Sequence, residues 1–162
     1  MQFLIFILIF PLLWIISILP FRLFYWFSDC IYFVVYYIIG YRKKIVRYNL
    51  SIALPHLTEE KRLIIEKKFY QHMCDMFLEM IKTMSISSAE MNKRFVITNI
   101  DLIKEYEQKE KSIILLASHY ASWEWLLSIN ERTKFKCIGV YKKINNRYFD
   151  ALVRRIRSKF NS

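Results

Sequence analysis

The feature that most constrains this chain is a long apolar head at its amino terminus. Residues 3–19 contain no charged side chain, and a transmembrane helix needs about 20 apolar residues to cross about 30 Å of hydrocarbon. A secretory signal peptide is disfavoured, because no Lys or Arg precedes the run and no small-residue cleavage site follows it. The run therefore predicts a membrane helix, with a kink at Pro11 because proline lacks the amide proton that a helix interior uses.

A second apolar stretch, residues 23–41, is rich in the aromatic side chains that favour a membrane interface. Asp29 in its middle argues against a simple lipid-facing span, although a partner such as Arg22 could compensate its charge. We expect one span followed by an interfacial or protein-packed helix; a two-span hairpin and an unusually apolar soluble core are the alternatives. The basic cluster at residues 42–44 then places the rest of the chain in the cytoplasm under the positive-inside rule.

The positive charge of the chain lies entirely outside this head. Residues 1–40 carry one Arg and one Asp, so the net charge of +11 belongs to the remainder. Residues 132–159 hold ten cationic side chains against Asp150 alone. Such density suits phosphate groups, an acidic carrier protein or an anionic membrane leaflet, and a merely solvated basic face is the alternative. Nucleic acid also fits the charge, but the membrane anchor and the lack of a base-reading motif argue against it.

Beyond the head, helical and strand-like patterns alternate. Acids in the first turn and an apolar, Met-rich stripe predict a helix from Thr58 to about Met84; the stripe is either an acyl-chain lining or ordinary core packing. Residues 112–117 and 137–141 are continuous β-branched and apolar runs, typical of buried parallel strands. The other predicted elements are a short strand at 95–97 and helices at 101–111, 123–130 and 149–160. This order predicts an α/β fold.

The three cysteines, Cys30, Cys74 and Cys137, are far apart and odd in number. They form no Cys-x-x-Cys pair and no Cys/His cluster with ligand spacing, so the sequence predicts neither a disulfide framework nor a metal site. Buried, reduced thiols in a cytoplasmic compartment are the expectation.

The sharpest chemical signal is a His-x4-Glu pair, His119 and Glu124, directly after the predicted strand at 112–117. On one continuous helix these side chains would lie about 140° apart, but at a strand-to-helix junction they can meet. In open α/β sheets, ligands bind at the edge formed by the carboxyl ends of the strands. A carboxylate bonded to one imidazole nitrogen leaves the other free to act as a base. The plain alternatives are a capped or solvated histidine and a glutamate that merely favours a helix start.

Several motifs, in order, carry a family resemblance. They are Leu19-Pro20; Arg47-Tyr48-Asn49-Leu50 with Leu54-Pro55-His56; Glu79 with Lys82; Ile113 to Glu124; Val140-Tyr141-Lys142 with Asn145 and Asp150; and Arg155-Ile156-Arg157. The chain thereby resembles the bacterial lipid A biosynthesis acyltransferases of lauroyl/myristoyl type, within the wider His-x4-Asp/Glu lysophospholipid-acyltransferase-like superfamily. Family members are longer, and this chain resembles their amino-terminal half. Ala121 stands where the family has glycine, and Lys142 where it has arginine.

The resemblance implies a partial glycerolipid-acyltransferase-like αβ sandwich over residues 42–162, behind a membrane anchor and interfacial helix at residues 1–41. It implies a membrane-bound O-acyltransferase of the bacterial inner membrane, with its catalytic part on the cytoplasmic side. An acyl group would pass from acyl carrier protein to a hydroxyl of an anionic lipid A precursor, without metal or cofactor. The alternatives are acylation of another membrane lipid and a truncated, inactive, membrane-associated fragment or scaffold.

The resemblance also implies roles for individual residues. His119 would be the general base, and Glu124 would orient it and stabilise its imidazolium form. Arg155 would contact substrate phosphate or the developing oxyanion, and Lys142 and Arg157 would assist substrate binding.

Overall fold

A computed structural model of the chain describes residues 1–118, 120–136, 138 and 141–160. Seven α-helices are seen in this part of the chain: α1 (Gln2–Ile18), α2 (Phe21–Phe33), α3 (Lys43–Ala53), α4 (Glu59–Lys82), α5 (Ser88–Arg94), α6 (Ile100–Gln108) and α7 (Arg147–Arg157). π-Helical turns at Val34–Ile39 continue α2, and 3₁₀ helices occupy Trp123–Glu131 and Ser158–Phe160. The predicted helix from Thr58 to about Met84 is confirmed by α4, and the later predicted helices are confirmed within a few residues of their ends.

The chain divides into two compact units, with one boundary directly after α1 and the other inside α4. One unit is Leu19–Glu79 and the other combines Met1–Ile18 with Met80–Ser162. One helical stretch among the described residues, Phe21–Ile39, is long and apolar enough to cross a membrane, and α1 is apolar but shorter. The division that sequence predicts, an anchor at residues 1–41 and a body at 42–162, stays a prediction.

The Leu19–Glu79 unit is organised around a buried carboxylate on α4. Glu66 is 1% exposed and accepts hydrogen bonds from the Tyr36 hydroxyl at 3.0 Å and from Arg47 Nε at 2.8 Å. The hydrogen bond to Glu66 raises the pKa of Arg47, since the carboxylate favours the charged guanidinium. The π-helical turns end at Gly40, whose φ of 65° lies in the left-handed region that glycine enters without steric cost.

In the second unit, the turn after α4 receives side chains from distant parts of the sequence. Trp125 Nε1 donates to Thr83 Oγ1 at 3.0 Å. Lys82, whose pKa is lowered by burial, donates to the Ser17 carbonyl at the carboxyl end of α1 at 2.6 Å. The apolar core of this unit comprises Ile86, Met91, Trp125, Ile129, Ile156 and Phe160. These contacts bring the end of α1 and the start of the 3₁₀ helix at Trp123–Glu131 to one turn.

The predicted α/β class is wrong, and with it the partial αβ sandwich. No strand forms in the described part of the chain. Residues 112–117 are non-helical, yet Ile114 and Leu116 remain 89% and 92% exposed, whereas a central strand would bury them. β-Branched runs favour strands only because they fit a pleated, half-buried surface, and a strand also needs a neighbour for its backbone hydrogen bonds. Residues 95–97 lie in a loop after α5, and most of the run at 137–141 lies outside the described residues.

Candidate active site

Of the two residues of the predicted dyad, the structure describes Glu124 only. His119 lies outside the described residues. Glu124 sits in the first turn of the 3₁₀ helix at Trp123–Glu131, and its side chain is only 9% exposed. Just before it, Ala121 has a φ of 51°, in the left-handed region where the family resemblance places a glycine. This turn sets the direction in which the chain enters the 3₁₀ helix, because the Trp123 amide donates to the Ala121 carbonyl at 2.8 Å.

The Glu124 carboxylate is held by Arg157 from α7. Arg157 donates through Nη2 to Glu124 Oε1 at 2.6 Å and through Nε to Oε2 at 3.1 Å, so both carboxylate oxygens are engaged. This hydrogen bonding raises the pKa of Arg157 above its usual value. The pair is a bidentate, charge-assisted contact, which fixes the plane of the carboxylate as well as its position. Sequence analysis selected both residues but missed this pairing.

Two aromatic rings flank the Arg157 guanidinium. Its central carbon lies 5.0 Å from the Tyr141 ring centroid and 5.9 Å from that of Trp123. An arginine near the face of an aromatic ring gains electrostatic attraction from the ring quadrupole. The rings therefore limit the positions open to Arg157 and, through it, those open to Glu124.

Arg155 lies two residues before Arg157 on α7, and its side chain is exposed. It borders a cavity of about 600 Å³ within the same unit. The cavity is lined by Phe10, Trp14, Met84, Leu152, Arg155, Ile156, Ser158 and Lys159. An apolar space with a guanidinium at its edge has the chemistry to receive an amphiphile with an anionic group. Lys142 is exposed in the segment before α7.

The basic segment at residues 132–159 divides into two groups. Five of its cations bond within the protein: Arg132 to Asn92 and the Phe95 carbonyl, Arg147 to the Tyr148 hydroxyl, Arg154 to Asp150, Arg157 to Glu124, and Lys159 to backbone carbonyls. Five others are exposed, namely Lys134, Lys136, Lys142, Lys143 and Arg155. Composition counts ten cations in this segment but does not show which of them have internal partners.

The structure describes two of the three cysteines that the sequence predicts to be buried and reduced. Cys74 on α4 is buried, and burial raises the pKa of its thiol, whereas Cys30 is exposed. Cys137 lies outside the described residues. No group of three or more His, Cys, Asp or Glu side chains in the described part of the chain could hold a metal ion.

A buried, arginine-held carboxylate close in sequence to a histidine, in the same unit as an apolar cavity, defines a candidate enzyme site for amphiphilic substrates. The family model for the bacterial lipid A biosynthesis acyltransferase matches residues 1–162, and the chain belongs to that family. It is accordingly an acyltransferase, and its family implies a lipid A precursor as substrate. This confirms the resemblance found in the motifs. Neither a curated protein nor a solved structure matches the sequence significantly.

Proposed function

We propose that this chain is a membrane-bound O-acyltransferase that moves a fatty acyl chain from acyl carrier protein to a hydroxyl of a lipid A precursor. The observation that carries the proposal is the buried Glu124, held at both oxygens by Arg157 and placed five residues after His119 in a chain of this family. A carboxylate fixed in this way is suited to orient an imidazole and to stabilise its protonated form.

In the proposed reaction, the substrate hydroxyl attacks the carbonyl carbon of the acyl thioester while His119 accepts the hydroxyl proton. The tetrahedral intermediate collapses, the carbon–sulfur bond breaks, and the proton passes from His119 to the departing thiolate. The products are an ester on the lipid and the free thiol of the carrier. The Glu124 carboxylate favours the imidazolium that forms between the two proton transfers.

Arg155 is proposed to bind a phosphate of the lipid or to stabilise the oxyanion of the intermediate, with Lys142 assisting. Support comes from the exposure of both side chains and from the position of Arg155 beside the apolar cavity, whose lining suits an acyl chain. The family resemblance implies that Arg157 contacts substrate, but because two of its N–H groups donate to Glu124, the role proposed for it is to hold that carboxylate.

We place the enzyme at the bacterial inner membrane, with residues 1–41 as its anchor and the catalytic part on the cytoplasmic side. The apolar composition of α1 and of Phe21–Ile39 supports membrane binding. The basic cluster after residue 41 supports the cytoplasmic side.

The test is an acyl-carrier-protein assay on purified membranes with the wild-type chain, His119→Ala and Glu124→Gln. Loss of the base should lower the transfer rate by about 10²–10⁴-fold, the usual contribution of a general base. His56→Ala is the matched control, because His56 is exposed in the loop between α3 and α4. Transfer that survives His119→Ala would refute the proposed base, and transfer only to lipids unrelated to lipid A would refute the proposed acceptor.

A further inference from the structure

The cavity of about 600 Å³ lies between α1 and α7, along one side of α7. On that helix it is bordered by Leu152, Arg155 and Ile156. With 3.6 residues per turn, these three positions span about 100° of the helix, and Arg157 lies about 150° round the helix from their midpoint. Arg157 is the residue that holds Glu124. The cavity and the proposed catalytic carboxylate therefore lie on different sides of α7.

The wall of the cavity that faces α7 comes from α1 and is apolar. Phe10 and Trp14 are four residues apart, so they project from one side of α1, and both line the cavity. Met84, from the turn after α4, adds a flexible apolar side chain. Trp14 is 45% exposed, so part of this apolar lining stays uncovered in the described part of the chain. A lining of this kind accepts an acyl chain.

Two cations also border the cavity, and they differ in their availability to a ligand. Lys159 Nζ already donates to three backbone carbonyls. The Arg155 side chain is exposed, and no hydrogen bond or ion pair engages its guanidinium among the described residues. A guanidinium binds phosphate through a planar two-point contact. The cavity is therefore suited to an occupant that carries both an acyl chain and an anionic group.

This combination distinguishes between the two substrates of the proposed reaction. In the acyl donor, the fatty chain begins at the thioester carbon that reacts, and the rest of that chain is uncharged. A lipid A precursor is an anionic lipid whose existing acyl chains and phosphates lie away from the hydroxyl that is acylated. The acceptor can therefore place an acyl chain and an anion together on the side of α7 remote from Glu124, and the donor chain cannot.

We propose that the cavity between α1 and α7 is a subsite for the acceptor lipid, with one of its existing acyl chains against Phe10 and Trp14 and one of its phosphates at Arg155. Helix α1 then takes part in substrate recognition. The inference rests on the proposed function and narrows the role of Arg155 to phosphate binding, because Arg155 lies on the other side of α7 from the residue that holds Glu124.

Binding can be measured without catalysis, through quenching of Trp14 fluorescence by a brominated acyl chain. The probes are a lysophosphatidic acid and a monoacylglycerol with the same brominated chain, each added to the protein in micelles of an uncharged detergent. Lysophosphatidic acid should quench the wild type saturably, at a concentration at least about tenfold lower than the monoacylglycerol, because a charged hydrogen bond adds that much affinity. Arg155→Gln should abolish this preference, and Trp14→Phe should remove the saturable quenching.

The matched control is Lys104→Gln, which removes an exposed cation of α6 in the same unit and outside the cavity lining. It should keep the preference of the wild type for lysophosphatidic acid. Equal quenching of the wild type by both probes, or an unchanged preference in Arg155→Gln, would overturn the phosphate site. Saturable quenching that survives in Trp14→Phe would overturn the acyl-chain site. These results do not depend on acyl transfer, so they are distinguishable from a failure of the proposed function.

Acyl-transfer kinetics test which substrate uses the cavity. Leu152→Trp narrows the cavity and should raise KM for the lipid A precursor by about tenfold or more, since each methylene group excluded from an apolar site lowers affinity about fourfold. KM for acyl carrier protein and the preferred length of the donor chain should not change. Leu102→Trp, at an exposed position of α6, should leave all three quantities as in the wild type. A shift of Leu152→Trp towards shorter donor chains, with an unchanged KM for the acceptor, would assign the cavity to the donor and overturn the proposal.

Discussion

Among the described residues, Arg157 is the one shown to orient the Glu124 carboxylate. The Glu124 side chain is 9% exposed and Arg157 reaches both of its oxygens, with the arginine itself 25% exposed. Removing one partner of a buried ion pair leaves the other charge without compensation, which costs more than the intact pair contributes. Arg157 therefore acts on the proposed chemistry through Glu124, as a positioning residue.

We predict that Arg157→Lys lowers kcat by about 10- to 100-fold, the effect of losing charged hydrogen bonds worth about 1.5–3 kcal/mol. A lysine ammonium keeps the charge but cannot form the planar two-point contact. Acyl-transfer kinetics at saturating and limiting lipid separate the effects on kcat and KM.

The matched control is Arg154→Lys, three residues earlier on α7, where the side chain is exposed and pairs with Asp150. Its kinetics should resemble those of the wild type. An Arg157→Lys enzyme with full kcat and a raised KM would contradict the positioning role and would favour a direct contact with substrate.

The residues of the proposed site were selected from the sequence, but their geometry was not predicted. His119 and Glu124 were recognisable because their spacing is local and follows an apolar run. The link between Glu124 and Arg157 joins positions 33 residues apart, and one sequence contains no signal for such a contact. A general rule could have suggested it, since a buried carboxylate requires a cationic or hydrogen-bonding partner.

Among the elements, the short 3₁₀ helix Ser158–Phe160 has a role in stability. Lys159 within it donates to the carbonyls of Thr83, Met84 and Ile86, at 2.9, 3.2 and 2.6 Å. These carbonyls belong to the turn after α4, where a helix end leaves backbone acceptors without partners inside the helix. A cation at the carboxyl end of a helix also interacts favourably with the helix dipole.

We predict that Lys159→Met lowers the free energy of unfolding by about 1–3 kcal/mol, because buried carbonyls lose their donor. Burial also lowers the pKa of Lys159 from its usual 10.5. Between the lowered value and 10.5 the unfolded chain binds more protons than the folded chain, so the contribution of Lys159 to stability rises with pH across that window.

Denaturant unfolding of both chains at neutral pH and just below pH 10.5 measures this difference. The gap between wild type and Lys159→Met should widen at the higher pH. Lys136→Met, at an exposed position of the same basic segment, should unfold like the wild type at both values. A gap that narrows with pH would contradict the lowered pKa.

Helices were predictable from the sequence and strands were not, for a physical reason. The hydrogen bonds of α4 lie within Glu59–Lys82, and its acidic first turn and apolar stripe mark it locally. The apolar run at residues 112–117 requires a partner strand, and no partner strand forms in the described part of the chain. Its composition was therefore consistent with a strand without being sufficient for one.

At the scale of the whole molecule, the charge is more localised than composition suggests. Several cations of residues 132–159 are engaged in internal bonds, while Lys134, Lys136, Lys142, Lys143 and Arg155 are exposed. Exposed charges act on a partner through long-range attraction that salt screens. These five side chains are the part of the segment suited to steer an acidic carrier protein.

We predict that carrier-protein binding weakens as ionic strength rises from about 0.1 M to about 1 M, over which the screening length falls from about 10 Å to about 3 Å. Lys134→Gln/Lys136→Gln should weaken binding at low salt and reduce the salt dependence. Lys67→Gln/Lys68→Gln, the same charge change at exposed positions of α4, should have little effect. Titration of labelled carrier protein measures its affinity for the wild type and for the two double variants. An affinity of the wild type that does not change with salt would exclude steering by this segment.

Ala121 marks a position where this chain could be made more stable by engineering. An L-residue in the left-handed region has a steric cost of about 1–2 kcal/mol that glycine avoids. We therefore expect Ala121→Gly to raise the free energy of unfolding, and denaturant unfolding of the two chains measures the gain.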